Sequence, residues 1–154
     1  MTPETTFDGD APYAEPTLDK KQPACKSAPP VDLLSDVRER PVPSPYDVAR
    51  KWWVWSGVTR VGDCALRDEM LTIRADGTAN FFAHVKSSDD ADRWVFHGGI
   101  SLLDVHGVVL WTGPKLVGPP MTWQDEWTTW DEDFTFPTVW FESAAGARIN
   151  QAHC

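Results

Sequence analysis

The chain has 154 residues, 42% of them hydrophobic, with a net charge of −9 and a pI near 4.7. That is room for one ordinary domain with one core, and the longest apolar run falls far short of the roughly 18 residues a membrane span needs. The negative field repels phosphate backbones and anionic bilayer surfaces alike, so neither nucleic acid nor a membrane is expected as a partner.

Residues 1–45 hold nine of the thirteen prolines and few apolar residues. Such a segment cannot bury enough surface to repay its ordering entropy, and it reads as a disordered, proline-rich tail. Within it, the run from Val31 to Val37 reads as a transient helical turn. Met1 to Asp8 carry neither a basic nor an apolar leader region, which makes a cytoplasmic site the default expectation. A single β domain is expected over residues 46–154.

Lys51 to Trp55 and Thr59 to Leu66 read as strands. The clearest element follows: Met70-Leu71-Thr72-Ile73-Arg74 and Ala79 to Val85 alternate on either side of an Asp76-Gly77 turn, a strong hairpin signal. In the second strand Ala79, Phe81, Ala83 and Val85 share one face, and Asn80, Phe82, His84 and Lys86 share the other. Ser87 to Asp92 is a polar loop. A strand from Trp94 to Leu103 turns at Asp104-Val105-His106-Gly107 and returns over Val108 to Thr112. Thr138 to Glu142 and Ala147 to His153 read as a last hairpin around Ala144-Ala145-Gly146. The expected fold is mainly β, an antiparallel meander of about 7–8 strands closed as a small barrel or rolled sandwich, because closure removes unpaired edges.

One segment carries a different period. Trp123, Trp127, Trp130 and Phe134 recur at helical spacing, with Thr122 and Asp125 placed as a near capping box. A short helix or lid is expected there. Asp131, Glu132 and Asp133 crowd what would be its C-terminal end, where the helix dipole disfavours anions. The alternative is strand structure whose indoles fill the core.

Nine tryptophans are the anomaly of the composition. A small core hides so many indoles with difficulty, and pockets are typically apolar and aromatic. Trp55, Phe82, Trp94, Trp111 and Trp140 on strands, under Trp123, Trp127 and Trp130 on a lid, are the candidate ligand-binding residues. His84 and His97, on strands expected to be neighbours, are the candidate acid–base pair, sharing a face with Glu142 or Asp104. The acidic runs Asp89-Asp90-Ala91-Asp92 and Asp131-Glu132-Asp133 lack calcium-loop spacing. No Cys-x-x-Cys pair, P-loop or dinucleotide fingerprint is present, so no metal or cofactor is expected.

Of the three cysteines, Cys25 lies in the tail. Cys64 and Cys154 are either two buried free thiols or a disulfide closing a loop of about 90 residues, worth about 2–4 kcal/mol. A disulfide would point to secretion rather than the cytoplasm.

Trp53-Val54-Trp55, Gly62-Asp63-Cys64, Leu71-Thr72 with Asp76-Gly77-Thr78-Ala79, Ser87 to Asp92 with Trp94, Phe136-Pro137 and His153-Cys154 follow one another in a recognisable order. In this order the chain from about residue 50 to 154 resembles a family of small uncharacterised proteins of Streptomyces and relatives, a domain of unknown function (number 6294). The resemblance implies no activity. At fold level alone, the Trp-rich start followed by Asp-Gly-Thr hairpins is similar to calycin-type barrels, which hold small ligands.

The functional expectation is therefore a hydrophobic small molecule held in a Trp-rich pocket, with cofactor-free cyclase or isomerase chemistry of bacterial secondary metabolism as one use of it. The alternatives are a protein partner, as for an inhibitor or immunity-type protein with Trp anchors, or a carbohydrate stacked on indole faces.

Overall fold

The structure, a computed structural model, describes residues 29–35, 37–38, 48–88, 92–121 and 126–154. The expected tail disorder over 1–28, Cys25, the Tyr46 boundary, the Asp89-Asp90-Ala91 stretch and the Thr122–Asp125 cap lie outside these residues. Eleven strands are described: β1 (Val31–Leu34), β2 (Val37–Arg38), β3 (Arg50–Val61), β4 (Cys64–Arg74), β5 (Thr78–Ser87), β6 (Val95–Phe96), β7 (Ile100–Leu103), β8 (Val109–Thr112), β9 (Leu116–Val117), β10 (Thr128–Thr135) and β11 (Gly146–His153). A one-turn 3₁₀ helix spans Thr138–Trp140. No helix among the described residues is long and apolar enough to cross a membrane.

The strands form two antiparallel sheets in a sandwich. The first runs β10-β5-β4-β3-β2. The second runs β8-β7-β11-β6-β9, with β1 also paired to β11. The sheets do not close into a barrel, so the rolled sandwich is the form the meander takes. In the first sheet the strict alternation of β5 turns Phe81, Ala83 and Val85 inward, where they are fully buried. The two Gly-containing turns form as expected: Gly77 N–H bonds to Arg74 O at 3.0 Å, and Gly107 N–H bonds to Asp104 O at 2.9 Å.

β11 is the spine of the second sheet. Gly146 to Ile149 pair with β7, and Ala152 and His153 pair with β6. The expected Trp94–Leu103 strand is thereby split by a turn at His97-Gly98-Gly99. Gly99 has a φ of +64°, and a Cβ there would lie 2.4 Å from the Pro114 carbonyl, so only glycine fits.

Three expectations are corrected. The helix or lid proposed around Trp123–Phe134 is, over 128–135, the edge strand β10, paired residue by residue with β5 from Thr128↔Val85 to Thr135↔Thr78. A four-residue spacing such as Trp130 to Phe134 is also even, so it fits one face of a strand as well as one stripe of a helix. Alternation then points Asp131 and Asp133 to solvent, which removes the charge conflict at the imagined helix end. Val31–Leu34, expected as a transient helical turn, is strand β1. The last hairpin is replaced by the 3₁₀ turn, because a buried lysine captures the carbonyls that follow it. Lys51 Nζ donates to Phe141 O, Glu142 O and Ala144 O at 2.7, 3.0 and 2.8 Å, using all three of its protons. Burial pushes the Lys51 pKa down, opposed by the nearby Glu142 carboxylate.

The two sheets are also tied by polar bonds between them. Trp55 on β3 donates its indole N–H to Leu33 O on β1 at 2.9 Å, and Trp94, just before β6, donates to Ala65 O on β4 at 3.0 Å. Cys64 at the start of β4 and Cys154 after β11 are joined by a disulfide, with Cα atoms 6.4 Å apart.

Two outcomes test this description. Lys51→Ala strands two buried carbonyls and one part-buried one and should cost about 2–6 kcal/mol in urea unfolding, since each unsatisfied buried group costs roughly 1–3 kcal/mol. The Asp76 carboxyl is held below its ordinary value of 3.8 chiefly by the Thr78 hydroxyl and N–H, and Asp104 chiefly by the Val108 N–H with help from His106. A depressed folded pKa means stability that is present above the unfolded pKa and lost as pH falls through the folded one. An Asp76→Asn/Asp104→Asn variant should therefore show a shallower fall of melting temperature than the wild type as pH drops below about 4.

Candidate functional site

The indoles expected to line a pocket are mostly committed to packing. Trp55, Trp94 and Trp130 are buried in the core. Phe81 lies edge-on to Trp130 at 5.1 Å, to Phe96 at 5.3 Å and to Trp55 at 6.4 Å. The Trp130 N–H is bound by Glu132 Oε1 at 3.0 Å. Trp111 is half-buried and stacks on Phe134 at 6.5 Å, and Trp140 is half-buried at the end of the 3₁₀ turn. Trp127, also half-buried, sits under two cations, Arg67 at 4.0 Å and Lys86 at 4.9 Å. Trp123 lies outside the described residues. Trp53, not singled out from sequence, is 1% exposed; its alternation with Trp55 on one strand was the available signal.

The candidate acid–base residues are not assembled. His84 is on β5 in the first sheet, whereas His97 is in the turn after β6 in the second, beside His153 at 5.7 Å between ring centres. Glu142 is exposed and follows the 3₁₀ turn. His84 instead pairs with Asp68, Nδ1 to Oδ2 at 2.8 Å. A bulge in β4 makes this pair: the register shifts between Arg67 and Met70, and Asp68 adopts a φ of +59°. The bulge swings the Asp68 carboxylate over the outer face and sends Glu69 inward, where it is buried.

That outer face of the first sheet brings polar and charged side chains together. Cross-strand register sets its side chains in rows. Trp52, Thr72, Asn80 and Asp133 form one row across four strands, and Val54, Met70, Phe82 and Asp131 form the next. Arg50 and Arg74 face each other directly at one end, and Arg67, His84 and Thr129 form a row toward the other. From Thr78 to His84 the face extends about 20 Å along the strand.

An open groove of about 600 Å³ lies on this face, lined by Arg50, Thr72, Arg74, Asn80, Asp133 and Thr135 among others. A second hollow of about 260 Å³ shares Arg50 and Thr72 with it and adds Trp52 and Met70. Asn80 Nδ2 donates to Asp131 Oδ1 and, at 2.8 Å, to Asp133 Oδ1, which holds both carboxylates in place and leaves the Asn80 carbonyl as an acceptor. Like charges directly opposite on neighbouring strands are unfavourable. Neither Arg50 nor Arg74 makes a salt bridge among the described residues. The groove thus offers two guanidinium forks, three threonine hydroxyls and the Asp133 carboxylate, with the Trp52 indole in the adjoining hollow, a set suited to a polar ligand.

In comparison with known proteins, the profile of a family of unknown function (DUF6294) matches residues 70–154. The matched stretch includes Arg74, Asn80 and Asp133, while Arg50, Trp52 and the Gly62-Asp63-Cys64 segment precede it. No curated protein and no solved structure matches the chain.

The two classes of indole should separate on mutation. Trp130→Ala should cost about 3–5 kcal/mol in chemical denaturation, as large-to-small core changes do. Trp52→Ala, on the outer face, should cost about 1 kcal/mol or less.

Proposed function

The chain belongs to the family of unknown function DUF6294, and we propose that it is a binding domain whose outer sheet face takes a hydroxylated ligand bearing an anionic group, of the acidic-saccharide class. The observation that carries this reading is the Arg50–Arg74 pair, opposed across β3 and β4 inside a groove, in a chain whose net charge is −9. Asp76 lies close enough to Arg74 to feel its charge, yet neither arginine makes a salt bridge among the described residues. A carboxylate or sulfate between the two forks would relieve their repulsion and be gripped bidentately. Asn80, Asp133, Thr72, Thr78 and Thr135 supply donors and acceptors along the groove, and Trp52 supplies an apolar indole in the adjoining hollow.

An apolar ligand, by contrast, needs an enclosed cavity lined by the indoles, and Trp55, Trp94 and Trp130 are occupied in packing the core. The Cys64–Cys154 disulfide supports work in an oxidising compartment, where cell-surface and matrix saccharides are met.

Titration calorimetry with a panel of uronic-acid and neutral oligosaccharides tests the proposal. Acidic members should bind, more weakly as salt rises. Arg50→Gln and Arg74→Gln should each weaken binding by about tenfold or more, in line with the roughly 1.5–3 kcal/mol of a charged hydrogen bond. Binding unchanged in both variants, or no heat from any acidic saccharide, would overturn it.

A further inference from the structure

We infer that Cys64, Cys154 and Asp92 form a two-state site: a disulfide when oxidised, and a zinc site when reduced. The three side chains are buried, and their ligand atoms all lie within 4.8 Å of one another. Asp92 is 4% exposed and accepts a hydrogen bond from Ser87 Oγ at 2.9 Å on Oδ2. The same carboxylate oxygen lies 3.8 Å from Cys64 Sγ. A disulfide sulfur has no proton to give that oxygen, so this contact is not a hydrogen bond in the oxidised pair. In the reduced pair it places a hard anionic donor beside two thiols, and the Ser87 hydroxyl, bonded to that same oxygen, orients the carboxylate before an ion arrives.

One edge of the site already suits the ion, and the two sulfurs, bonded in the disulfide, separate on reduction to the tetrahedral edge of about 3.8 Å. Zinc bonded to sulfur at about 2.3 Å and to carboxylate oxygen at about 2.0–2.2 Å requires a tetrahedral sulfur-to-oxygen edge of roughly 3.5 Å. The observed sulfur-to-oxygen distance is within a few tenths of an ångström of that edge. Two thiolates and one carboxylate give three protein ligands, and water completes the fourth position.

The chemistry balances. A dithiol reductant passes two electrons and two protons to the Cys64–Cys154 bond and leaves as its own disulfide. The bond breaks to two thiols. Zinc then displaces both thiol protons to solvent and binds the two thiolates. In either state the start of β4 stays fastened to the end of β11, 90 residues away. The fold thus keeps a cross-link under reducing as well as oxidising conditions.

The test uses the full chain with Cys25→Ser, so that the third thiol cannot substitute. The chain is reduced with a phosphine and titrated with zinc against a chromophoric chelator, and separately with cobalt. The expected result is one zinc per reduced chain, none per oxidised chain, and a thiolate-to-cobalt charge-transfer band. Asp92→Asn should weaken zinc binding by roughly tenfold or more, and Ser87→Ala should weaken it in the same direction by less. The milder Ser87→Ala decides the matter if Asp92→Asn does not fold. Absence of metal in the reduced chain, unchanged affinity in the variants, or unfolding on reduction before metal is added would each overturn the inference.

Discussion

Where the two sheets meet, the ring of Phe81 stands edge-on to Phe96 from the opposite sheet and to Trp130 and Trp55 from its own. These contacts exist because β5 is paired on both sides and alternates without interruption, so one face is wholly inside and the other wholly outside. Shifting that register by one residue would bury His84 and expose Phe81. The remainder of the sandwich is built around that choice. A phenyl ring carries no donor, whereas the indole N–H groups of Trp55 and Trp94 each bond to a carbonyl of the other sheet. Lys51 performs the same service for the turn that precedes β11.

Because the interior is occupied by rings, the polar capacity of the fold lies on the outer face of the first sheet. Asp131 and Asp133 sit there on the edge strand β10, where charge also discourages pairing with another chain. Asn80 locks both carboxylates, and the β4 bulge turns Asp68 onto His84.

Local signals in the chain were reliable where a turn type dictates residues. Asp76-Gly77 and Asp104 to Gly107 could be read as hairpins because a glycine is needed for positive φ at each. The Cys64–Cys154 pairing was open from sequence but not decided by it. The Trp130–Phe134 spacing of four is even and satisfies both the helical and the strand period, so the sequence left both open, and only pairing with β5 chose the strand. Val31–Leu34 was too short and too proline-flanked to announce itself as a strand; its place comes from bonding to β11.

What the sequence by itself determined is the β class, the inward and outward faces of β5, the two tight turns and the two cysteines able to meet. Those follow from nearest-neighbour geometry and side-chain alternation. Tertiary structure alone decided that His84 and His97 belong to different sheets, that Arg50 opposes Arg74, and that Asp92 lies against Cys64 and Cys154. Each of these depends on which strands pair and in what register. That is set by how the whole set of rings packs between two sheets, and no local stretch of chain encodes it.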